Sequence, residues 1–421
     1  MVVLSKLFKD GLEKGLQCSD LTHSGSCKQN VTLNTYKFLI SNLKYFAPVI
    51  FLPLLVHLRS LNKKMLKDTF QYYIGAVAAG TTTGWCIMAM ICLLRHVFGK
   101  FGYYTTAFLP SLIGSFATWA IPSPKVHRLY ETSVFQCTIE SFILQRKTML
   151  TKLIAESKLL RTFIFMCCSS LIMNAKQEKS YRGFWLLQPT PTTTLVHPKN
   201  QAALNEEAEE ESVHLLKPCS HKISSCVRYA LQGAKTYFIL GLTLDLIKML
   251  MSKVATSEKG FMTKLLAKTG NFKIHSCALL TTYVTFYRLV HCYFNRVCGA
   301  DTKLNHTAAA FLSGSSFIFY PKLTLFCYAL VLGIQISWQH LEVYLSNEHE
   351  DAFEWIKNIP FSKLFYSLCL AYLVNTYCLR SRYVSGLGAT IINGITNNYA
   401  KTINGNIERI EQQLASRSPS L

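Results

Sequence analysis

Apolar residues run along the chain in eight stretches that approach membrane-spanning length, separated by short polar and basic segments. The stretches are Ile74–Leu94, Thr105–Ile121, Leu129–Leu144, Leu159–Met173, Ile274–Val297, Ala308–Tyr320, Leu323–Trp338 and Leu364–Leu379. Several are shorter than the roughly 20 residues that a clean membrane span requires. Short stretches with scattered polar residues favour helices that pack on each other more than on lipid. The pattern therefore predicts an all-α fold, a polytopic helical membrane protein.

Two further segments, Tyr36–Leu58 and Tyr229–Leu250, are apolar overall but contain charged residues. The first holds Lys37 and Lys44, and the second holds Asp245. A charge at the centre of a bilayer is costly, so both segments are predicted to lie at the interface or to face other helices. With four true spans in each half the halves insert in the same orientation, and with five they insert inverted. The sequence leaves this topology open.

The chain reads as two related halves, because short matches recur in the same order at an offset of about 200 residues. The matches pair His23 with His221, Cys27 with Cys226, Gly99 with Gly299, Gly114 with Gly314 and Pro124 with Pro321. An ordered series with a nearly constant offset indicates an internal duplication. In a membrane protein, duplication predicts two tandem homologous helical bundles of four to five segments each, related by a pseudo-two-fold axis.

Five regions follow from these patterns. They are an amphipathic interfacial helix at residues 1–17, a first membrane repeat at 18–187, a proline-rich and acidic linker at 188–217, a second membrane repeat at 218–400, and a C-terminal surface helix and tail at 401–421. The linker combines prolines with the acidic run Glu206–Glu211, a composition that cannot bury enough apolar surface to fold alone. It is predicted to be a solvated tether, with a docking site for a basic partner as the alternative.

Charge separates this chain from ordinary soluble domains, because 16% of its residues are charged, whereas about a quarter is typical. Its formal net charge is +21. The densest basic cluster is predicted to contact anionic lipid headgroups. It consists of Arg59, Lys63, Lys64 and Lys67. Nucleic acid is excluded as a partner, because the chain has no zinc-finger spacing and no aromatic–basic sheet motif.

The chain has 15 cysteines, and several of them lie inside apolar segments, where free cysteine behaves as a small apolar residue. Two Cys/His clusters are weak candidates for metal ligands. They are Cys18, His23 and Cys27 in the first half, and Cys219, His221 and Cys226 in the second. Neither has the tight spacing of a structural zinc site, so four ligands would assemble at one shared site only if both halves met. The sequence favours unligated polar residues, and neither metal nor cofactor is predicted.

Small residues line one face of the first long apolar stretch, at Ala76, Gly80 and Gly84. Residues four apart stack one above another on a helix, and small ones let a second helix backbone approach closely. The three residues are predicted to form a helix-packing site. Leu280 and Val284 occupy the equivalent positions in the second half, so the two halves are not expected to pack identically there.

Five basic residues near segment ends are candidates for lining a cleft. They are Arg95, His96, Arg288, His291 and His306. The alternative is that their side chains reach past the apolar segments to lipid headgroups. No catalytic residue is proposed, because the nucleophile-elbow, phosphate-loop, zinc-protease and dinucleotide-binding motifs are missing. The chain is therefore not expected to be an enzyme.

Four runs of residues resemble the transmembrane protein 135 family. They are Tyr45–Pro48, Ile91–Phe101, Gly270–Phe272 and Asn305–Tyr320. The resemblance covers nearly the whole chain apart from the acidic linker and the tail. In the family, the opening cysteine-rich stretch contains Gly-His-Thr-Trp before a second cysteine; here the spacing is shorter and the tryptophan is absent. The second half is also distantly similar to a four-span module of the superfamily of mitochondrial inner-membrane translocases and peroxisomal membrane proteins, which favours four spans per half.

The resemblance implies a multi-pass protein of peroxisomal membranes, mitochondrial membranes or both. It implies a part in peroxisome organisation, in the balance of mitochondrial fission and fusion, and in lipid metabolism. Fission machinery and peroxisomal import factors are the protein partners considered. The alternative function is a lipid or small-metabolite conduit with a pathway between the two repeats. The family supplies no catalytic residues to transfer.

Overall fold

The structure, a computed structural model, describes residues 16–56, 62–181, 183, 185–187, 219, 221, 225–251, 273–348 and 360–417. Over these residues the chain is all-α and contains no strand. The eight apolar stretches predicted from the sequence coincide with helical segments, apart from a few residues at the ends of three of them. Predictions for residues 1–15, for Arg59, for 270–272 and for the linker 188–217 lie outside the described residues.

Fourteen α-helices lie in the described part of the chain. They are α1 Cys18–Leu21, α2 Cys27–Val56, α3 Lys63–Phe98, α4 Phe108–Gly114, α5 Pro124–Leu144, α6 Met149–Glu156, α7 Lys158–Gln177, α8 Cys226–Met251, α9 His275–Cys298, α10 Lys303–Ser313, α11 Leu323–Glu348, α12 Phe361–Arg380, α13 Gly386–Ile395 and α14 Tyr399–Arg417. Helices α4 and α10 continue directly into 3-10 helices, Ser115–Ala120 and Gly314–Phe319.

Local sequence explains where the long helices begin and end. The Asn62 side chain accepts a hydrogen bond from the Lys64 N–H group at 3.4 Å and so begins α3. Gly99 and Gly299 follow α3 and α9, each with a φ of +69°, a left-handed conformation that glycine adopts without a steric penalty. The two helices that the sequence repeat pairs therefore end in the same way.

The described residues separate into two compact units. Those of Met1–Ala155 and of Glu350–Leu421 form unit 1, and those of Glu156–His349 form unit 2. In unit 1, α2 packs on α3, and α3 packs on α4. Helix α12 packs across α4, its 3-10 extension and α5. Phe46, Tyr130 and Tyr366 are buried together in the core of this unit.

Unit 2 is built around α7 and α9. Helix α8 packs on α9, α9 packs on α10, and α7 packs across α10, its 3-10 extension and α11. Phe165 of α7 stacks on Phe317 with ring centroids 4.5 Å apart. Ser169, also on α7, donates a hydrogen bond to the Ala310 carbonyl at 2.9 Å. Helix α7 is therefore part of the core of unit 2.

The two units share one set of helix pairings. In each, two long helices are followed by a short helix that continues into a 3-10 helix and by a third long helix. A 20-residue helix packs across the last two; it follows these helices in unit 1 and precedes them in unit 2. The 20-residue helix is α12 in unit 1 and α7 in unit 2. By sequence, however, α7 falls in the predicted first repeat and α12 in the predicted second.

The compact units thus differ from the predicted regions 18–187 and 218–400. The physical reason is tertiary packing: α7 buries Phe165 against unit 2, and α12 buries Tyr366 in unit 1. The sequence match between the halves indicates which helices correspond. It does not indicate which bundle each helix joins. As sequence repeats, the two regions stay a prediction.

Two helices in the described residues are long and apolar enough to cross a membrane, α3 and α7. The predicted C-terminal surface helix corresponds to α14, whose Ile403 and Ile407 are buried in unit 1. The number of membrane spans, and with it the polytopic topology, stays a prediction.

Candidate metal centres

The first candidate centre, the unit 1 cluster, brings together Cys18, His23, Cys27 and Cys92. Their ligand atoms all lie within 4.8 Å of one another. The His23 Nε2 atom lies 3.6 Å from the Cys92 Sγ atom. Three of the residues belong to the turn around α1 and the start of α2, and the fourth lies in α3.

The turn that carries this cluster is held in place by several local contacts. The Asp20 carboxylate accepts a hydrogen bond from the Gln17 N–H group at 2.8 Å, which closes α1. Gly25 turns the chain toward α2 with a φ of +86°. Leu21 is fully buried, and its carbonyl accepts a hydrogen bond from Asn406 of α14 at 2.9 Å. The Arg95 side chain donates to the Leu16 carbonyl at 2.9 Å.

The second candidate centre, the unit 2 cluster, brings together Cys219, His221, Cys226 and Cys292. Their ligand atoms also lie within 4.8 Å of one another. The Cys219 and Cys226 Sγ atoms are 3.6 Å apart, and His221 Nε2 lies 3.3 Å from Cys226 Sγ. His221 stacks on the Tyr229 ring at 4.5 Å.

The structure therefore assembles four candidate ligands within each unit, not at one site shared between the halves. Three residues of each cluster are predicted from the sequence, whereas Cys92 and Cys292 are not. Cys92 and Cys292 lie on long helices far in the chain from the other ligands, so the spacing between ligands does not reveal them. The signal that could have found them is the repeat itself, because Cys92 and Cys292 are separated by the same offset as Gly99 and Gly299.

The cysteines of both clusters are free thiols and form no disulfide. All 15 cysteines are free, and the Cys219–Cys226 separation of 3.6 Å is far longer than a disulfide bond of about 2.05 Å. A hydrogen bond from Cys92 lowers the pKa of Cys18 to about 6, while burial opposes the shift and the charges of His23 and Arg95 support it. Burial raises the pKa of Cys219.

A third group, His291, Asp301 and His306, lies inside unit 2. Both histidine Nε2 atoms are 3.0 Å from the Asp301 Oδ1 atom, and all three residues are largely buried. The Tyr287 hydroxyl lies 2.7 Å from His306 Nδ1. Although His306 Nε2 lies close to Asp301 Oδ1, it has no hydrogen-bond partner by geometry, and the buried Asp301 Oδ2 atom has none either. The group is therefore only partly satisfied.

The electrostatics of this third group follow from its geometry. Burial alone would raise the pKa of Asp301, but the neighbouring His291 and His306 side chains outweigh it and lower that pKa below its usual range. The carboxylate is therefore ionised at neutral pH. The three side chains form a buried network before and at the start of α10, and their ligand atoms also lie close enough together to hold a metal ion.

Four of the five residues predicted to line a cleft have partners within their own units. His291 and His306 belong to the network just described, and Arg95 binds the Leu16 carbonyl. The Arg288 guanidinium donates to the Tyr229 carbonyl at 2.7 Å and lies 4.1 Å above the centroid of the Tyr229 ring. His96 is exposed. No described contact tests whether any of them also faces a cleft, so that role stays a prediction.

The predicted packing residues of α3 lie against neighbouring helices of unit 1. Ala76 is fully buried, and its carbonyl accepts a hydrogen bond from the Tyr130 hydroxyl at 2.9 Å. A Cβ atom added at Gly80 would overlap the Asn42 side-chain oxygen and lie 2.6 Å from the Tyr130 hydroxyl. A Cβ atom at Gly84 would lie 3.2 Å from Phe38. This face of α3 therefore depends on small residues.

Comparison with known proteins places the first of these clusters in a recognised region. No solved structure matches the chain. Residues 16–146 match the N-terminal cysteine-rich region of transmembrane protein 135, and this span contains the whole unit 1 cluster. Over these residues the match confirms the resemblance to the transmembrane protein 135 family.

Proposed function

We propose that this chain is a multi-pass protein of the peroxisomal membrane, the mitochondrial membrane or both. It acts without catalysis in peroxisome organisation, in the balance of mitochondrial fission and fusion, and in lipid metabolism. The match of residues 16–146 to the cysteine-rich region of a transmembrane protein supports the membrane location. The organelle and the cellular roles are those that the family resemblance implies.

The observation that carries the membrane proposal is the exposed apolar surface of the long helices. On α3, large apolar side chains are exposed along the length of the helix. They include Phe70, Ile74, Trp85, Leu93 and Val97. On α9, one face exposes Phe286, Leu289, Tyr293 and Val297. Soluble proteins rarely expose large apolar patches, and lipid is the solvent in which such faces are stable.

Basic residues at the start of α3 also support contact of this helix with a membrane. Lys63, Lys64 and Lys67 are exposed there, and each cation near an anionic surface contributes roughly 1 kcal/mol. We propose anionic membrane lipids as the partners of this cluster. Fission machinery or peroxisomal import factors are the proposed protein partners, recruited through the linker at 188–217.

The shared architecture of the two units supports the proposed tandem duplication. The same elements pair in the same way in both units, and two of the matched helices end at a left-handed glycine. Superposition of the units tests the idea. Fewer than three helices overlaying in the same sequential order would contradict a duplication.

The membrane proposal is tested by labelling single cysteines from either side of isolated organelles. Lys64 and Lys100 are exposed residues at the two ends of α3, so Lys64→Cys and Lys100→Cys place reporters on opposite sides if α3 spans the bilayer. A membrane-impermeant maleimide should label one variant in intact organelles and both after permeabilisation. Equal labelling of both variants in intact organelles, with extraction of the protein by alkaline carbonate, would contradict it.

A conduit for lipids or small metabolites is the second candidate. One observation favours it: unit 1 contains an apolar cavity of about 90 Å³ lined by side chains that include Phe46, Val134, Tyr366 and Leu370. Typical ligand sites are larger, roughly 300–1,000 Å³. The cavity is too small for a whole lipid, so the organiser is the better supported function.

Deleting Gln188–Glu211 separates the two candidates. An organiser that recruits partners through the linker should lose its effect on peroxisome number and mitochondrial shape, with membrane insertion unchanged. A conduit should keep its function, and the purified protein should then move lipid between proteoliposomes. Lipid transfer that survives the deletion would favour the conduit over the organiser.

A further inference from the structure

We propose that the unit 1 and unit 2 clusters are a matched pair of structural zinc sites, each binding one Zn²⁺ through three cysteines and one histidine. The first site uses Cys18, His23, Cys27 and Cys92, and the second uses Cys219, His221, Cys226 and Cys292. The proposal is independent of the membrane function described above.

The donor set is the first reason. Three thiolates and one imidazole form one of the usual ligand sets of structural zinc, which takes four protein ligands in a closed tetrahedron. Such a site leaves no open position for substrate. Soft thiolate ligands also select zinc over magnesium or calcium, which bind oxygen.

The distances are the second reason. With Zn–S bonds of about 2.3 Å and Zn–N bonds of about 2.0 Å, a tetrahedron places two sulfurs about 3.7 Å apart and a sulfur and a nitrogen about 3.5 Å apart. In the unit 2 cluster the Cys219 and Cys226 sulfurs are 3.6 Å apart, and the His221 nitrogen is 3.3 Å from Cys226 Sγ. In the unit 1 cluster the His23 nitrogen is 3.6 Å from Cys92 Sγ.

The compactness of each cluster argues for a single ion. All four ligand atoms lie within 4.8 Å of one another in both cases, so one central atom can reach all of them. A two-iron cluster divides its four ligands between two metal atoms and holds the two pairs further apart.

Charge compensation is the third reason. Three thiolates and one Zn²⁺ leave one negative charge, which is unfavourable beside apolar helices unless a cation lies close. An arginine occupies the next turn of each long helix. Arg296 donates a hydrogen bond to Cys226 Sγ at 3.3 Å, and Arg95 donates one at 2.9 Å to the Leu16 carbonyl, two residues before Cys18.

Recurrence makes the assignment stronger than either cluster alone. The same four residue types meet in both units, with a Cys–His–Cys set just before the first long helix or at its start and one cysteine on the second long helix. Each ion would therefore fasten the start of α2 to α3, or of α8 to α9. In each unit these are the first two long helices.

Metal content of the purified full-length protein tests the proposal. Protein purified in detergent with a thiol reductant should contain two zinc ions per chain by elemental mass spectrometry. Cys92→Ser and Cys292→Ser should each remove one zinc ion, and the double variant should remove both. Cys86→Ser in α3 and Cys298→Ser in α9 are matched controls, outside the clusters, that should keep both ions.

Ligand replacement keeps the test decisive if a serine variant does not fold. His23→Cys and His221→Cys preserve four ligands, so each variant should retain two zinc ions. Cobalt substitution should give the intense visible absorption of tetrahedral thiolate coordination. A chain with no stoichiometric zinc, iron in place of zinc, or a Cys219–Cys226 disulfide in freshly purified protein would overturn the proposal.

Discussion

At the scale of single residues, α2 and α3 can cross closely because Gly80 has no side chain. Gly80 faces the Asn42 side-chain oxygen and the Tyr130 hydroxyl so closely that even one methyl group has no room. Asn42 is itself fixed, because its amide donates to the Phe38 carbonyl at 2.8 Å and to the Ile395 carbonyl at 3.0 Å. The neighbours therefore cannot withdraw cheaply.

Gly80→Ala should consequently destabilise the protein by about 1–3 kcal/mol through overpacking. Gly405→Ala is the matched control, since Gly405 lies inside α14 with nothing within 4 Å of an added Cβ. There the better helix propensity of alanine should leave stability unchanged or raise it by up to about 1 kcal/mol. Thermal unfolding in detergent measures both variants. Equal midpoints for the two would contradict the close crossing.

At the scale of elements, each unit brings its first two long helices close together at a glycine. The glycine lies on the second of these helices in unit 1 and on the first in unit 2. In unit 1 the glycines lie on α3, the second long helix. In unit 2 the equivalent positions are the buried Leu280 and Val284, and the close approach is instead made by Gly241 of α8. A Cβ atom at Gly241 would lie 2.9 Å from the Cys277 backbone nitrogen. The two halves therefore differ at the equivalent positions, as the sequence predicts, and in unit 2 Gly241 on the other helix permits the close approach.

The start of α9 is stabilised by a carboxylate from α8. Asp245 is 4% exposed, and its Oδ2 atom accepts a hydrogen bond from the Cys277 N–H group at 2.9 Å. This N–H group lies in the first turn of α9, where no backbone acceptor is available. The Lys248 amine lies 3.4 Å from the same carboxylate. The charged residue in this apolar segment thus joins two helices.

Asp245→Ala should lower the free energy of unfolding by about 1–3 kcal/mol, because it leaves a buried N–H group unpaired. Asp245→Asn should cost less, since its amide oxygen still accepts that hydrogen bond and only the charge is lost. Asp68→Ala, at an exposed position of α3, should have little effect. The order of the three unfolding midpoints is the measurement, and an Asp245→Ala midpoint equal to that of Asp68→Ala would exclude the cap.

At the scale of the whole molecule, each compact unit takes its 20-residue helix from the other half of the sequence. Helix α12 buries Tyr366 in unit 1, where its hydroxyl lies 3.1 Å from Thr118 Oγ1. Its Ser367 is fully buried, and Asn375 is 7% exposed. Removal of α12 would therefore open the core of unit 1 and leave the helices of unit 2 in place.

A chain that ends at His349 should lose hydrogen-exchange protection across residues 62–144 and keep it across 273–348. A chain that ends at Tyr383 retains α12 and should recover most of the protection in 62–144. The sequence repeats taken as folding units predict the reverse, with the loss confined to the second half. Exchange measured peptide by peptide distinguishes the two outcomes directly.

Much of the molecule could be predicted from the sequence by itself. The apolar stretches determined the helices, because apolar residues at helical spacing must bury one face whatever the tertiary arrangement. The repeat predicted which helices correspond, and the stripe of Ala76, Gly80 and Gly84 predicted a face where helices come close. Three of the four residues in each Cys/His cluster were also visible, since they lie near one another in the chain.

Only the tertiary structure decided which helices share a core and which residues complete each site. Cys92 and Cys292 join their clusters from distant helices, and α7 and α12 each pack with the other half of the sequence. His291 and His306, predicted as lining for a cleft, meet Asp301 in a buried network. The reason is common to all three cases. Periodicity reports which face of a helix is apolar, whereas the partner of that face depends on long-range packing that local spacing does not encode.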